Sequence, residues 1–401
     1  MMRMSTVKYQ IPAHWCIFQS TAILQELAEA KGAVMFLKAM PSQRRWLDAL
    51  QDIQLKLEVA GTSKIEGADF TGNELDQAMK ETPEQLLTRS QRQAHAAVKT
   101  YRWIATIPND RPIDENLICE IHRKIVTDAD DDHCPPGKIR EKDQNVVFGM
   151  PQHRGCDGGD ECKSAFNKFV KAVNGEFLEH DPLIQALIAH YHFAAMHPFL
   201  DGNGRTARAL EALMLQRAGL RDTLFIAMSN YYYDEKKNYL ATLAEVRAKG
   251  FDLTPFLKFG LKGISIQTSR LSALLRENIS KELYRSLMHD LFTRLVSKRK
   301  LAIGKRQLAI AECLLKNGRT EFEFLTKMLE ETYKSVTNPR KAIIRDLNYL
   351  SALSAIRINK DKDKYHIETN LDWPTKMTES EFFEKVKQMP KAKSHSFLSA
   401  S

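Results

Sequence analysis

The chain has 401 residues, 43% of them hydrophobic, which is enough for folded cores and more than one small domain usually organises. Its 59 Lys and Arg against 50 Asp and Glu leave a formal charge of +9, which admits an acidic or nucleic-acid partner without requiring one. No run approaches the roughly 18 apolar residues of a membrane span, the N-terminal MMRMSTVKYQIPAHW lacks an apolar stretch of signal-peptide length, and the cysteines at 16, 119, 134, 156, 162 and 313 form no CxxC pair, so a cytoplasmic protein with reduced thiols is expected.

In chain order, residues 19–40 and 42–59 are predicted helices separated by Pro41. The second runs into Gly61-Thr62-Ser63-Lys64-Ile65-Glu66-Gly67, a short helical or turn segment closed by glycine. Spacing alone makes Thr62 a helix cap and Glu66 a solvated charge. Residues 85–107 and Glu115 to Val126 give two more helices. After Pro135-Pro136-Gly137 the run KIREKDQNVVFG alternates and ends on β-branched residues, the pattern of a hairpin.

From Asp181 to Met196, apolar residues at 183, 184, 187, 188, 191 and 195 predict a buried helical face. Pro198 ends that helix, and a second periodic run, Thr206 to Ala218, closes at Gly219. The loop between them feeds a helix N-terminus, whose unpaired amides and dipole favour anions. Gly202 and Gly204 let successive amides form a nest for phosphate oxygens. Arg205 and Arg208, three apart, are expected on one helix face above it. Asp201 offers the hard oxygen that magnesium prefers beside nucleotide phosphates, and His197 gains or loses a proton near neutral pH. A metal site from His190, His192 and His197 is disfavoured, because His192 lies roughly 200° around the helix from His190. No GxxxxGK[ST] run occurs, so this is not an ordinary P-loop.

Beyond the motif, Ser229-Asn230-Tyr231-Tyr232-Tyr233 and Lys236 to Lys249 place aromatic residues before a helix from Thr254 to Leu275. The three tyrosines are open between core packing and a pocket wall. The helical run from Leu261 through Lys298 reads as a connector with a basic end, Lys298-Arg299-Lys300 and Lys305-Arg306. Helices at 305–316, 321–329 and 335–350, followed by strands AIRINK and KYHIET, resemble a winged helix-turn-helix. Lys334, Arg340, Lys341 and Arg345 would then lie on or near its recognition helix, with Pro339 in the first turn. Such modules bind DNA or only protein, and both stay open. From Thr378 a brief helix leads into a tail.

The run HPFLDGNGRTAR, His197 to Arg208, resembles the Fic signature HPFx[D/E]GNGRxxR at every fixed position. The resemblance implies a helical domain that moves AMP from ATP to a hydroxyl side chain of a protein. It makes His197 the base and Asp201 the magnesium ligand. Gly202, Asn203 and Gly204 become the anion nest, and Arg205-Thr206-Ala207-Arg208 the triphosphate segment. Thr62, Glu66 and Gly67 match the family's inhibitory [S/T]xxxE[G/N] motif, which implies that Glu66 pairs with Arg208 and distorts bound ATP. The hairpin would be a flap whose edge, Val146-Val147-Phe148-Gly149, receives the target backbone by strand addition. Tyr239 and Leu240 would line the base pocket.

The expected protein is thus mainly α, a Fic-type helical bundle with a β-hairpin flap followed by a small α/β winged-helix domain. Its parts are an N-terminal helical segment with the inhibitory motif (1–110), a catalytic core (111–260), a helical connector (261–300), a winged helix-turn-helix-like domain (301–372) and a tail (373–401). Expected partners are ATP, Mg2+, a protein bearing a hydroxyl residue, DNA through the C-terminal domain and a second copy of the chain in a homodimer, with no membrane. The same site would also permit removal of AMP, with Glu66 orienting water. A reading of another class is a nucleotide-sensing DNA-binding transcription regulator.

Overall fold

In the computed structural model, the residues described are 7–80, 86, 88–149, 152–220, 225–294 and 298–388. The chain divides into two compact units, Met1–Leu275 and Arg276–Ser401, the division falling inside a single helix, Thr254–Thr293. The segments expected as an N-terminal part and a catalytic core both lie in the first unit.

The first unit opens with a two-residue strand, β1 (Val7–Lys8), and helices α1 (Leu24–Ala39), α2 (Arg44–Ile65), α3 (Gly72–Lys80), α4 (Arg89–Thr106) and α5 (Glu115–Val126). The run from Gly61 to Ile65 is the last turn of α2, not a separate segment. That helix ends in a Schellman motif: Gly67, at φ +90°, donates to the Lys64 carbonyl, and Ala68 donates to Ser63. Gly67 therefore fixes where Glu66, the last residue before the reversal, is presented. Helix α4 starts on a capping box in which Thr88 and Gln91 exchange side-chain and backbone bonds.

Of the hairpin expected in residues 138–149 only Val147–Phe148 (β2) is a strand, and it pairs antiparallel with His153–Arg154 (β3), beyond that run. The stretch before them runs in turns because its backbone bonds go elsewhere. Arg140 donates its amide to Pro198, its carbonyl accepts from Gly159, and Gln144 closes a turn onto Glu141. The sheet order is β1-β3-β2, with β1 parallel to β3, so β2 is an edge strand.

Helices α6 (Asp160–Val173), α7 (Pro182–Met196) and α8 (Asn203–Arg217) follow. Helix α7 is apolar around its circumference, and every residue from Leu183 to Met196 except Gln185 is buried, so it is the central post of the unit. Asp181 caps it by accepting from the Leu183 amide, and Pro182 occupies the first turn. Helix α8 packs along α7 and begins at Asn203 rather than at Thr206. Helices α9 (Met228–Asp234), α10 (Lys236–Ala248) and α11 (Thr254–Thr293) complete the order. The α11 helix runs past the expected end at Leu275.

In the second unit, α12 (Lys298–Asn317), α13 (Phe322–Met328), α14 (Glu330–Tyr333) and α15 (Pro339–Ala352) pack around Leu314, Leu325, Ile343, Leu347 and Leu350, all buried. Strands β4 (Thr320–Glu321), β5 (Ile356–Asp361) and β6 (Lys364–Thr369) form an antiparallel sheet of order β4-β6-β5, and α16 (Trp373–Lys376) and α17 (Glu379–Gln388) close the unit. The two strands expected after residue 350 are present, the helix expected at 335–350 starts only at Pro339, and β4 and α14 are elements the sequence reading did not include. The side chains of Lys298, Arg299 and Lys300 and the tail after 388 lie outside the described residues. No helix among the described residues is long and apolar enough to cross a membrane.

Candidate active site

Helix α7 ends on His197, whose φ of 54° and ψ of 62° put a non-glycine residue in the left-handed region. Neighbours hold it there. Arg140, fully buried, donates through Nε to the His197 carbonyl at 2.9 Å and through its amide to Pro198, while the Cys156 amide donates to Met196. A Cβ on Gly155 would fall 2.7 Å from the Met196 carbonyl and 3.0 Å from His197 Cβ, so only glycine lets that strand pass. The thiols of Cys156 and Cys162 donate to Met196 and Pro198, on either side of the histidine, and are not paired as a metal site.

His197 Nδ1 lies 2.8 Å from the Ala194 carbonyl. A carbonyl only accepts, so Nδ1 carries the proton and Nε2 keeps its lone pair. Burial drives the pKa of the imidazole down to about 4, against the smaller upward pull of the Ala194 carbonyl. Phe148 of β2 stacks on the ring, centroids 3.7 Å apart and planes at 8°.

The loop after Pro198 is stapled by Asn203, whose side chain accepts from the Phe199 amide and donates to its carbonyl. Gly202, at φ +73°, caps α8. His122 of α5 accepts from Gly137 through Nδ1, so its Nε2 donates to the Asp201 carbonyl at 3.0 Å. The first-turn amides of α8 have no partner within the helix, and they surround Gly204.

The two arginines of the motif part company. Arg208 donates from Nε to Thr62 Oγ1 at 2.9 Å, and its NH2 pairs with Glu66 at 2.6 Å. Burial raises the Glu66 carboxyl, but the charge and hydrogen bond of Arg208, with the charge of Arg205, together bring the group below its ordinary value. A Cβ on Gly204 would collide with the Glu66 carboxylate, so the motif glycine makes room for this carboxylate. Arg205 turns away to the buried Asp130, 2.5 Å from NH1, and does not line the cleft, contrary to the expectation that both guanidinium groups stand above the nest. Asp130 also accepts from Arg89 and Gln93.

Asp201 is 39% exposed at the cleft mouth, 3.0 Å from His133 and 3.6 Å from Arg205. Burial raises its carboxyl, and the His133 hydrogen bond and Arg205 bring it below its ordinary value. Asp130, His133 and Asp201 bring ligand-type atoms within 4.8 Å, but Asp130 is committed to cations. The histidine trio disfavoured as a metal site is dispersed: His190 bonds Glu211 and Tyr239, and His192 bonds the Trp15 carbonyl.

The cleft encloses about 190 Å³ and is lined by Glu66, Phe148, Gly149, His197, Asp201, Asn203, Gly204, Arg208, Tyr239 and Leu240, all named from sequence. It is not lined by Val146, Val147, Gly202, Thr206 or Ala207, and the last three are buried in the motif's own packing. Reasoning on the sequence missed Ile65, Ala194, Leu243 and Arg247 of the wall, and Arg140 and Asp130 behind it. Arg247 sits 5.7 Å from the Phe148 ring, and its Nε has no partner. Of the three tyrosines, Tyr231 and Tyr232 are core, the latter bonded to Glu211. In the second unit, Pro339 does occupy the first turn of α15. Arg340 pairs with Glu323, Lys334 with Glu331, and Arg345 lies 3.8 Å from Asp346, while Lys341 is exposed.

Unpaired amides at one helix N-terminus, a neutral imidazole at the end of another helix and an edge strand thus meet at one cleft of a helical unit. Residues 112–215 match the model of the Fic/DOC family, so this chain carries a domain of that family. It is 28% identical over 210 residues, 52% of its length, to the protein adenylyltransferase Fic of Nematostella vectensis. It is 33% identical over 145 residues, 35% of its length, to that of Aedes aegypti. The chain spans 40% and 26% of the lengths of these two curated relatives. A solved Fic family protein of Desulfovibrio desulfuricans shares the fold at a TM-score of 0.56 and 18% identity, over 90% of this chain and 99% of that one. Fic-1 of Caenorhabditis elegans does so at 0.54 and 21%, over 65% and 74%.

Proposed function

We propose that this chain transfers AMP from ATP to a hydroxyl side chain of a protein, and that Glu66 restrains it. The observation that carries the reading is the convergence of His197, the Gly204 nest, Arg208 and the open β2 edge on one cleft. A target segment adding to β2 would bring its hydroxyl to Nε2 of His197. The hydroxyl oxygen bonds to the α-phosphorus, its proton passes to Nε2, and the bond from the α-phosphorus to the bridging oxygen breaks, releasing pyrophosphate. The α8 amides stabilise charge on the transferring phosphate. Tyr239, Leu240 and Leu243 form an apolar wall for the base.

Asp201 fits a magnesium site: it is a half-exposed carboxylate of hard oxygens at the rim, the single protein ligand that magnesium takes when phosphates supply the rest. Magnesium there would neutralise phosphate charge. Glu66 occupies the guanidinium of Arg208 that a γ-phosphate would otherwise take, which disfavours the productive pose.

The test is to incubate wild type, Glu66→Gly and His197→Ala with ATP and magnesium and weigh the intact proteins. One added AMP mass is expected at least tenfold faster in Glu66→Gly than in wild type, and none in His197→Ala. Equal or slower incorporation in Glu66→Gly removes the restraint, and labelling of His197→Ala removes the base.

A further inference from the structure

Helix α10 lays one face along the cleft. Tyr239, Leu240, Leu243 and Arg247 all line it, and their spacing keeps them within a single arc of the helix. The face begins beside Arg208 and Glu66, whose charges act on Tyr239. About two turns on, it ends at strand β2, where the Arg247 guanidinium lies 5.7 Å from the Phe148 ring. The same ring stacks on His197 at 3.7 Å, so the base and this guanidinium meet at one residue of the edge strand.

Arg247 is half-buried and makes no hydrogen bond or ion pair with a described residue. Of its three nitrogens only Nε is sealed from solvent, and that one has no acceptor. Burial pulls its pKa down to about 10, opposed only by Tyr191 and Tyr239, so the group stays charged at neutral pH with no carboxylate to balance it. The carboxylates of the neighbourhood are committed: Glu66 to Arg208, Asp201 to His133 and Glu245 to Lys249. A guanidinium withdrawn from water without an acceptor carries a free-energy cost that a bound anion offsets. On the function proposed above, ATP does not supply that anion, because its phosphates lie at the α8 amides and Arg208, beyond Leu240 and Leu243.

Resting on that reading of the cleft, we infer that Arg247 selects a target segment with an acidic residue two positions from the modified hydroxyl. Side chains of a segment added to β2 alternate between its two faces, so the residue that reaches His197 and those two places away, about 7 Å along, share the face toward the cleft. A carboxylate there meets the free guanidinium in a two-pronged pair, and Phe148 beside them screens the pair from water. A lysine at the same place is repelled.

Three fluorescent seven-residue peptides test this, each with one central threonine and with aspartate, alanine or lysine at both positions two away. Anisotropy titrations use a Glu66→Gly/His197→Ala chain with ATP and magnesium. The aspartate peptide is expected to bind at least fivefold more tightly than the alanine peptide, and the lysine peptide most weakly. Adding Arg247→Glu should reverse that order. In the Glu66→Gly background, Arg247→Met, with an unchanged melting temperature, should raise KM for the aspartate peptide fivefold or more and leave KM for ATP within twofold. Absence of binding by all three peptides, no preference among them, a preference that survives Arg247→Glu, or a rise in KM for ATP in place of peptide each overturns the assignment. Preferential binding without transfer of AMP removes the proposed activity and leaves Arg247 its role, whereas labelling of all three peptides at one rate does the reverse.

Discussion

His197 must be neutral to accept a proton, and two separate features see to it. The Ala194 carbonyl selects the tautomer with Nε2 free, and burial holds the pKa near 4. Labelling of Glu66→Gly should therefore be flat in kcat/KM from about pH 8 to pH 5 and fall below that, as the imidazole takes a proton. Removing Glu66 moves the transition lower still, because its charge favours the imidazolium. A descending limb near pH 6.5 to 7, the range of an unperturbed histidine, would falsify this account. Arg140 belongs to the same scale. Its guanidinium serves the carbonyls of His197, Gln144 and Cys156, which is how a histidine is kept in a conformation that usually belongs to glycine or asparagine. Arg140→Lys offers one donor group in place of a planar fork. It should lower kcat by tenfold or more with KM for ATP little changed, measured by initial-rate labelling in the Glu66→Gly background.

Helix α2 is the element that would carry the proposed restraint, and a buried anchor two turns before Glu66 sets its position. Glu58 accepts from the Ser229 amide at 2.8 Å and from Tyr101 at 2.7 Å, and Ser229 Oγ bonds it as well. One turn on, Gly61 lies so close to the Ser229 backbone that a Cβ would overlap it. Glycine inside a helix normally costs about 1 kcal/mol relative to alanine. At Gly61 the sign should reverse: Gly61→Ala is expected to destabilise by about 1–3 kcal/mol through forced separation of α2 from α9. Gly32 in α1 has open space around it, and Gly32→Ala should stabilise by about 0.5–1 kcal/mol. Urea unfolding of the two variants checks the pair, and a stabilised Gly61→Ala protein would show that α2 and α9 are not in close contact.

Across the whole molecule, four histidines, His122, His153, His192 and His197, are each driven down to about 4, in every case chiefly by burial. Their unfolded value is near 6.5. A lowered pKa means that the folded state resists a proton the unfolded chain accepts. The stability they contribute is therefore complete above about pH 6.5 and is lost as pH falls toward 4. Glu58 works the other way. Burial raises it to about 7, so its contribution is complete below about 4.5 and is lost as pH rises toward 7. Four groups outweigh one, and stability should decline between pH 6.5 and 4 by at most a few kcal/mol per pH unit. Scanning calorimetry at pH 7, 5.5 and 4.5 reads this as a falling melting temperature. An unchanged or rising one would mean that these rings are hydrated in solution.

The sequence by itself determined the pieces whose physics is local. The proline after His197, the glycines around Asn203 and the periodicity on either side specify a helix, a tight loop and a helix N-terminus, so the local geometry around His197 and Gly204 was readable from twelve consecutive residues. Gly67 likewise announced the end of a helix. Only the tertiary structure decided what depends on residues distant in sequence. Arg205 leaves the cleft because Asp130, 75 positions earlier, lies beside it, and the expected hairpin shrinks to a short strand because Arg140 spends its bonds on the carbonyls of His197 and Pro198. Phe148, Leu243 and Arg247 meet only when β2 and α10 are brought together around α7. Periodicity encodes which face of an element is buried, but the partner on that face is chosen by long-range packing, and no spacing in the chain records it.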